Sequence, residues 1–300
     1  MKLFILSLIL IPFSILADDA RKIAQHLQNI SVTIKAEDGY SRSEGSGVLI
    51  TRDIEGKKVT FVWTAGHVVD NLRNVREVID EGRPRKVVEF KDAQIVKELV
   101  EGGRRVGEIK MDASIIKYSD ADDGHDLALL MVRAKDYGKD TASFYLKEGE
   151  DSIIPIGTRL YHVGSLLGQK GSNSMTTGIV SQVGRTLGKV EFDQTTVTAF
   201  PGSSGGGVFL QNGNYVGMLV RGAGENFNLI VPIRRIQEWA KENNLEWALD
   251  PAKKAPSISK IKDISIEDSG LKKKGTGAGE DSEKAYPFLI RHFLKTENHE

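Results

Sequence analysis

Between residues 30 and 231 the chain never stays apolar for long. Short runs rich in β-branched side chains cover residues 30–36, 47–51, 59–63, 86–90, 114–118 and 127–132. Seven more cover 159–163, 177–183, 190–192, 195–200, 208–210, 215–220 and 228–231, and Gly, Asn, Asp and Ser fill the gaps. Val, Ile and Thr fit a pleated, half-buried surface, and runs this short bounded by turn residues read as strands. With 31 glycines against 8 prolines, tight turns are plentiful. The pattern predicts an all-β protein of the sandwich or barrel kind, and the gap near residue 150 divides it into two similar halves. A helical pattern follows only after Pro232, over 233–248, where Ile233, Ile236, Trp239 and Ala240 share one face.

Charge and cysteine usage narrow the function. The chain carries 41 Lys+Arg against 41 Asp+Glu and no cysteine. A near-neutral chain has no electrostatic footprint for nucleic acid or an anionic membrane. Without cysteine there is no disulfide scaffold, iron–sulfur cluster, thiolate zinc site, catalytic thiol or lipid anchor on cysteine.

The ends of the chain differ from its middle. Met1-Lys2, an apolar run over 3–16, Ala17 and then Asp18-Asp19 read as a signal peptide over 1–17. As a helix, residues 3–17 would span about 22 Å at ~1.5 Å per residue, short of a bilayer core of about 30 Å, and Pro12 interrupts the run. The reading is an exported protein, periplasmic or extracellular, with no stable membrane span once the signal is removed. One folded unit is expected over 18–249: a first barrel or sandwich half at 28–145, a second at 146–232 and the helix at 233–248. Residues 250–300 read as a polar, flexible tail, with a last apolar cluster at 286–294. The mixed charges over 73–110 read as a solvated face and a long surface loop.

One segment breaks the strand-and-turn pattern: Phe200-Pro201-Gly202-Ser203-Ser204-Gly205-Gly206-Gly207-Val208. A serine between glycines permits a tight turn that exposes its hydroxyl and lets backbone N–H groups converge on one oxygen. Such a loop can be a plain hairpin, a phosphate cradle or the seat of a nucleophile. A phosphate cradle would continue with Lys-Ser/Thr and a helix, and neither follows. Gly202-x-Ser204-x-Gly206 also fits the nucleophile elbow of α/β-hydrolases. That fold places its histidine after the serine, whereas only His292 and His299 come later here.

A nucleophilic serine needs a base and an acid to orient it. His67 ends an apolar run on a turn of small residues. Asp126 opens the apolar run 127–130, where an unpaired carboxylate would be costly. Asp70 is a rival acid, but it would need the turn after His67 to fold back. His125, beside Asp126 on an extended backbone, should point the other way and be exposed, while His162 reads as core. Asp120-Ala121-Asp122-Asp123-Gly124 begins like a calcium loop, but its sixth and twelfth places hold His125 and Met131, so it reads as a solvated acidic turn.

Taken with Gly45-Ser46-Gly47-Val48-Leu49-Ile50, Thr64-Ala65-Gly66-His67-Val68-Val69, Asp126-Leu127-Ala128-Leu129-Leu130, Thr177-Gly178-Ile179-Val180-Ser181 and Pro201-Gly202-Ser203-Ser204-Gly205-Gly206, the order His67, Asp126, Ser204 resembles the trypsin-like serine proteases of the chymotrypsin fold. The likeness covers roughly residues 30–240 and is closest to the bacterial Deg/HtrA-type branch. It implies two six-stranded antiparallel β-barrels with a cleft between them. It implies Ser204 as nucleophile, His67 as general base and acid, Asp126 as its orienting carboxylate, and the N–H groups of Gly202 and Ser204 as the oxyanion hole. The implied activity is a serine endopeptidase acting on polypeptides without metal or cofactor. The alternative is an inactive peptide-binding or scaffolding protein on the same fold, which has no chemical need for all three residues.

The departures are informative. The polar stretch after Asp250 is too short and too charged for the PDZ domain that Deg-type proteins usually carry. Ser203 stands where digestive members have the aspartate that receives a new amino terminus, so no such activation switch is expected. By resemblance, Thr198 forms the floor of the specificity pocket, the strand through Val220, Arg221 and Gly222 its wall, and Asn228 its closure. No carboxylate lies in 195–201 or 217–222, and a desolvated cation would need one. The expected preference is for small or medium uncharged residues, unless a one-residue slip brings Arg221 into the lining and favours an acidic side chain. The sequence is silent on oligomeric state.

Overall fold

The apolar runs are strands, and they close on themselves twice. In the computed structural model, which describes residues 13–271 apart from 81, 135, 136, 139 and 223–225, a helix α1 (Phe13–Asn29) leads into the first half. Its strands are β1 (Ser31–Glu37), β2 (Arg42–Ile54), β3 (Lys57–Thr64), β4 (Arg73–Asp80), β5 (Arg83–Phe90), β6 (Ala93–Glu101), β7 (Arg104–Ser119) and β8 (Leu127–Val132), with one helical turn α2 (Gly66–Val69) after β3. The second half holds β9 (Ser143–Phe144), β10 (Arg159–Gly164), β11 (Ser174–Leu187), β12 (Val190–Thr195), β13 (Gly207–Leu210), β14 (Asn214–Gly222) and β15 (Asn228–Pro232). Helices α3 (Ile233–Glu242) and α4 (Ile258–Lys262) follow. Strands β1-β2-β3-β8-β7-β6 form a closed antiparallel barrel. Strands β10-β11-β12-β15-β14-β13 form a second ring, closed by the β13–β14 pairing, with β9 added in parallel along β14. The fold is all-β with two six-stranded rings and a C-terminal helix, as the resemblance implies.

The interiors explain the pattern. Strand β8 reads Leu-Ala-Leu-Leu-Met-Val and is buried at every position, because one side faces the barrel interior and the other is covered. The first barrel packs Ile34, Leu49, Phe61, Trp63 and Leu129 into a core continuous with Phe192, Phe209 and Tyr215 of the second half. A separate, smaller core lies within the second ring: Ile154, Leu160, Val180, Val197, Val208, Val216, Leu219 and Ile230.

Helix α3 buries the expected face and carries the chain back to the first barrel. Trp239 packs edge-on against Trp63 at 5.9 Å, and Trp247 against Phe61 at 5.0 Å. Trp63 Nε1 donates to the Ala248 carbonyl at 3.1 Å. The helix is shorter than expected. It stops at Glu242, Asn244 takes a left-handed φ of 57°, and a separate 3-10 turn covers Glu246–Ala248.

Three stretches differ from the expectation. Residues 73–110 are not a loop: β4 and β5 pair as a two-stranded hairpin, and β6 and β7 complete the barrel. Charge hides these strands because much of their surface faces water, with pairs such as Arg76–Glu89 at 2.5 Å bridging the strands. The run 195–200 leaves the sheet at Thr195, where side-chain bonds (Thr195 Oγ1 to Ile179 O, Ile179 N to Thr196 Oγ1, both 2.9 Å) join a last backbone bond from Thr196 N to Ile179 O at 3.1 Å. Residues 250–271, read as the start of a flexible tail, pack on the body. Ser257 caps α4, Ile261 is buried, and Tyr118 N donates to Ile266 O at 2.7 Å while Asp268 N donates to Tyr118 O at 3.1 Å. Residues 272–300, with the apolar cluster at 286–294, lie outside the described residues, as does most of the expected signal segment. Among the described residues no helix is long and apolar enough to cross a membrane.

Candidate active site

The histidine and the aspartate come from the ends of neighbouring strands. Strand β3 ends at Thr64 and pairs with the start of β8 through Thr64↔Ala128. The chain then turns through α2, which carries His67, while Asp126 sits one residue before β8. Asp126 accepts three bonds from His67: Nδ1 lies 3.0 Å from both carboxylate oxygens, and the backbone N lies 3.0 Å from Oδ1. The turn lies so close to the end of β7 and the start of β8 that a side chain at Gly66 would overlap the Ser119 carbonyl and crowd Leu127 N. Asp126 adopts φ 56°, a left-handed conformation uncommon outside glycine, which aims its carboxylate back at the histidine. That turn is fixed by Asp126 N donating to Asp120 O at 3.1 Å and His125 N to Ser119 Oγ at 2.6 Å.

Electrostatics at Asp126 favour the charged form. Burial is the largest single influence and opposes ionisation, for the residue is 2% exposed. The charge of His67, the two kinds of bond it donates and the guanidinium of Arg221 together outweigh burial, so the carboxyl lies below its usual range. An ionised carboxylate can only accept, so Nδ1 carries the proton and the ring's lone pair sits on Nε2.

Ser204 lies on the loop between β12 and β13. Two tight turns shape it, with Ser203 N donating to Phe200 O at 2.9 Å and Gly206 N to Ser203 O at 3.0 Å. Gly202 and Gly205 have φ of 91° and 84°, accessible at low cost only to glycine. A side chain at Gly205 would overlap Ser46 O and Thr64 Oγ1, so this loop rests on the strand end that leads to His67. Ser46 fastens it. Its N donates to Ser204 O and its Oγ to Gly202 O, each at 2.7 Å, while its carbonyl accepts Thr64 Oγ1 at 2.8 Å. Ser204 Oγ lies 3.5 Å from Val220 O. The amides of Ser203, Gly205 and Gly206 are bonded within the protein, whereas those of Gly202 and Ser204 have no acceptor among the described residues.

The expected pocket residues fall around the end of β14. Val220 is buried at an irregularity in the β14–β15 register, and Thr198 is exposed, its carbonyl accepting Thr176 Oγ1 at 3.1 Å. Asn228 is 2% exposed and joins the two sides. Its Nδ2 donates to Val197 O at 2.7 Å, and its Oδ1, unpartnered among the described residues, lies 2.7 Å from where a side chain on Gly222 would begin. Arg221 reaches the first barrel instead, donating from Nη2 to Ala121 O at 3.2 Å.

The rival residues have other roles. Asp70 accepts the Tyr118 hydroxyl at 2.6 Å. His162 is fully buried with Nδ1 3.0 Å from Gly207 O, and burial pulls it down to about 4, so it stays neutral. Asp120 Oδ1 accepts the amides of Asp122 and Asp123 at 2.7 and 2.9 Å, an Asx turn. His125, expected to be exposed, is half-buried, because the left-handed turn at Asp126 breaks the strand alternation behind that expectation. Neither Ser46 nor Arg235 stands out by itself in the sequence. Ser46 stood inside a quoted motif, but its contacts exist only once the barrels meet.

The model of the trypsin-like peptidase domain family matches residues 45–218. Over 180 residues the chain is 28% identical to a probable periplasmic serine endoprotease, DegP-like, of Halomonas elongata, covering 59% of this chain and 29% of that protein. It is 35% identical over 101 residues to the serine protease Do-like HtrB of Bacillus subtilis, covering 31% and 21% respectively. The matched region thus spans less than a third of the length of these relatives. The serine endoprotease from Yersinia pestis shares the fold, with a TM-score of 0.52 at 16% identity over 77% of this chain and 68% of that one. Its homologues are DegP/HtrA-type serine proteases, and the chain belongs to the family of trypsin-like peptidase domains.

Proposed function

We propose that the protein is an exported serine endopeptidase that hydrolyses peptide bonds through His67, Asp126 and Ser204. One observation carries the reading. A buried carboxylate gives its lone pairs to both N–H groups of His67, on the turn against which the Ser204 loop is fastened. Ser204 Oγ attacks the scissile carbonyl as His67 takes its proton, and the imidazolium then protonates the leaving amine. Water enters by the same route in reverse to release the acyl group. Asp126 holds the tautomer and stabilises the imidazolium, while the Gly202 and Ser204 amides receive the oxyanion.

Export is supported by the sequence over 1–17 and by relatives named periplasmic. A neutral pocket at Thr198, Val220, Gly222 and Asn228 favours small or medium uncharged residues before the cut. The direct test is digestion of unfolded casein. The wild type should release peptides, Ser204→Ala and His67→Ala should not, and a chelator should leave the rate intact. Cleavage that persists in Ser204→Ala would overturn the mechanism. Cut sites mostly after Lys or Arg would overturn the pocket, and a soluble product still starting at Met1 would overturn export.

A further inference from the structure

The loop that presents Asp126 belongs to the first barrel, yet two arginines from the other half of the molecule reach it. Arg221, on β14, donates to the Ala121 carbonyl at 3.2 Å. Arg235, on α3, donates from Nη2 to the His125 carbonyl at 3.4 Å and from Nη1 to the Glu191 carbonyl at 2.8 Å. Both guanidinium groups lie over one ring. Their Cζ atoms are 5.7 and 5.0 Å from the centroid of Phe192, a buried residue of β12. Cation–π contacts of this kind fix the plane of a guanidinium as well as its place.

Arg235 is 8% exposed and has no bonded carboxylate among the described residues. A buried cation needs an anion within reach. The surrounding acids are engaged elsewhere. Glu191 and Asp193 pair with Arg234, Asp70 takes the Tyr118 hydroxyl, Asp120 binds two amides, and Asp268 takes Trp239 Nε1. Glu238 and Glu242 lie on the solvent face of α3, and burial, then the charge of Arg235, press His125 towards its neutral form. Asp126 is the acid whose charge acts most on Arg235, ahead of Glu191 and Glu238, and the charge of Arg221 acts on Asp126 in turn.

We propose that Arg221 and Arg235, stacked on Phe192, are positioning residues of the site: they hold the Asp126 loop against the second barrel and, through their charge, keep His67 in its basic form at lower pH than Asp126 alone would allow. The inference rests on the serine-protease reading above. Asp126 stabilises the imidazolium, and a cation behind the carboxylate weakens that stabilisation.

The test is the pH dependence of kcat/KM for wild type, Arg221→Gln, Arg235→Gln and the two Arg→Lys variants. Each Gln variant should move the acid limb upward by about half a pH unit, and each Lys variant should return it towards the wild-type midpoint. A structural role alone would lower the plateau and the melting temperature equally in Gln and Lys variants and leave the midpoint in place, which overturns the proposal. Half-buried Arg221 keeps the test open should Arg235→Gln fail to fold. If the wild type cleaves casein and Ser204→Ala does not, an unmoved limb sinks this proposal alone. If the wild type is inactive, the reading it rests on falls with it.

Discussion

The two barrels close in the same way but hold their parts of the site differently. The first places His67 and Asp126 at the ends of paired strands, β3 and β8, whose register is set by large buried side chains and clamped by Trp239 and Trp247. The second, with its separate core of mostly β-branched residues, places Ser204 on a loop shaped by glycines. That loop gets its fastening from Ser46 of the first barrel. The His67–Asp126 pair is therefore built within one barrel, whereas the position of Ser204 is a property of the seam.

The largest effects fall on the chemistry. Ser204→Ala or His67→Ala should each cost roughly 10⁴- to 10⁶-fold in kcat, and the double variant little more, because the residues act as a unit. Losses that multiplied would separate the nucleophile from the base. Next comes stability: Trp63→Ala should destabilise the fold by about 3–5 kcal/mol, against about 1.5 kcal/mol for Val216→Ala in the second core. Urea unfolding measures both, and a reversed order would contradict the assignment of the larger core to the first barrel.

Ser46→Ala tests the seam. It removes the hydroxyl that bonds Gly202 O and accepts Ser165 N, and should cost about 1–3 kcal/mol. Activity should fall while His67 and Asp126 stay paired, and unchanged activity would show that the loop holds its shape alone. The smallest effect is on acid stability. The Asp126 carboxyl lies below its unfolded value, so its contribution is present above about pH 4 and is lost as pH falls through the folded value. The stability gap between wild type and Asp126→Asn should narrow on acidification, and a widening gap would reverse the sign.

Much of this was legible in the sequence where burial and composition agree. The run 127–132 is apolar because both its faces are covered, and the α3 face through Trp239 is apolar for the same reason. Strand β4 was hidden by charge, since Arg76 and Glu89 pair across its hairpin with β5, and β6 by Lys97, Glu98 and Glu101 in its second half. The packing of residues 250–271 was hidden because its anchors, Ile261 and Ile266, stand singly among polar residues. At the site, His67, Asp126 and Ser204 stood out through their neighbours. Arg235 did not, because a cation at one helix position acquires meaning only when α3 lies against Phe192 and the Asp126 loop.

The proposed mechanism requires Ser204 to be a nucleophile activated across the seam. A fluorophosphonate applied to the purified chain at neutral pH, followed by peptide mass spectrometry, reads this directly. One phosphonylated serine, Ser204, is expected in the wild type, none in Ser204→Ala and slow labelling in His67→Ala. A wild type left unlabelled where another serine protease reacts, or a label on Ser203 in place of Ser204, would contradict it.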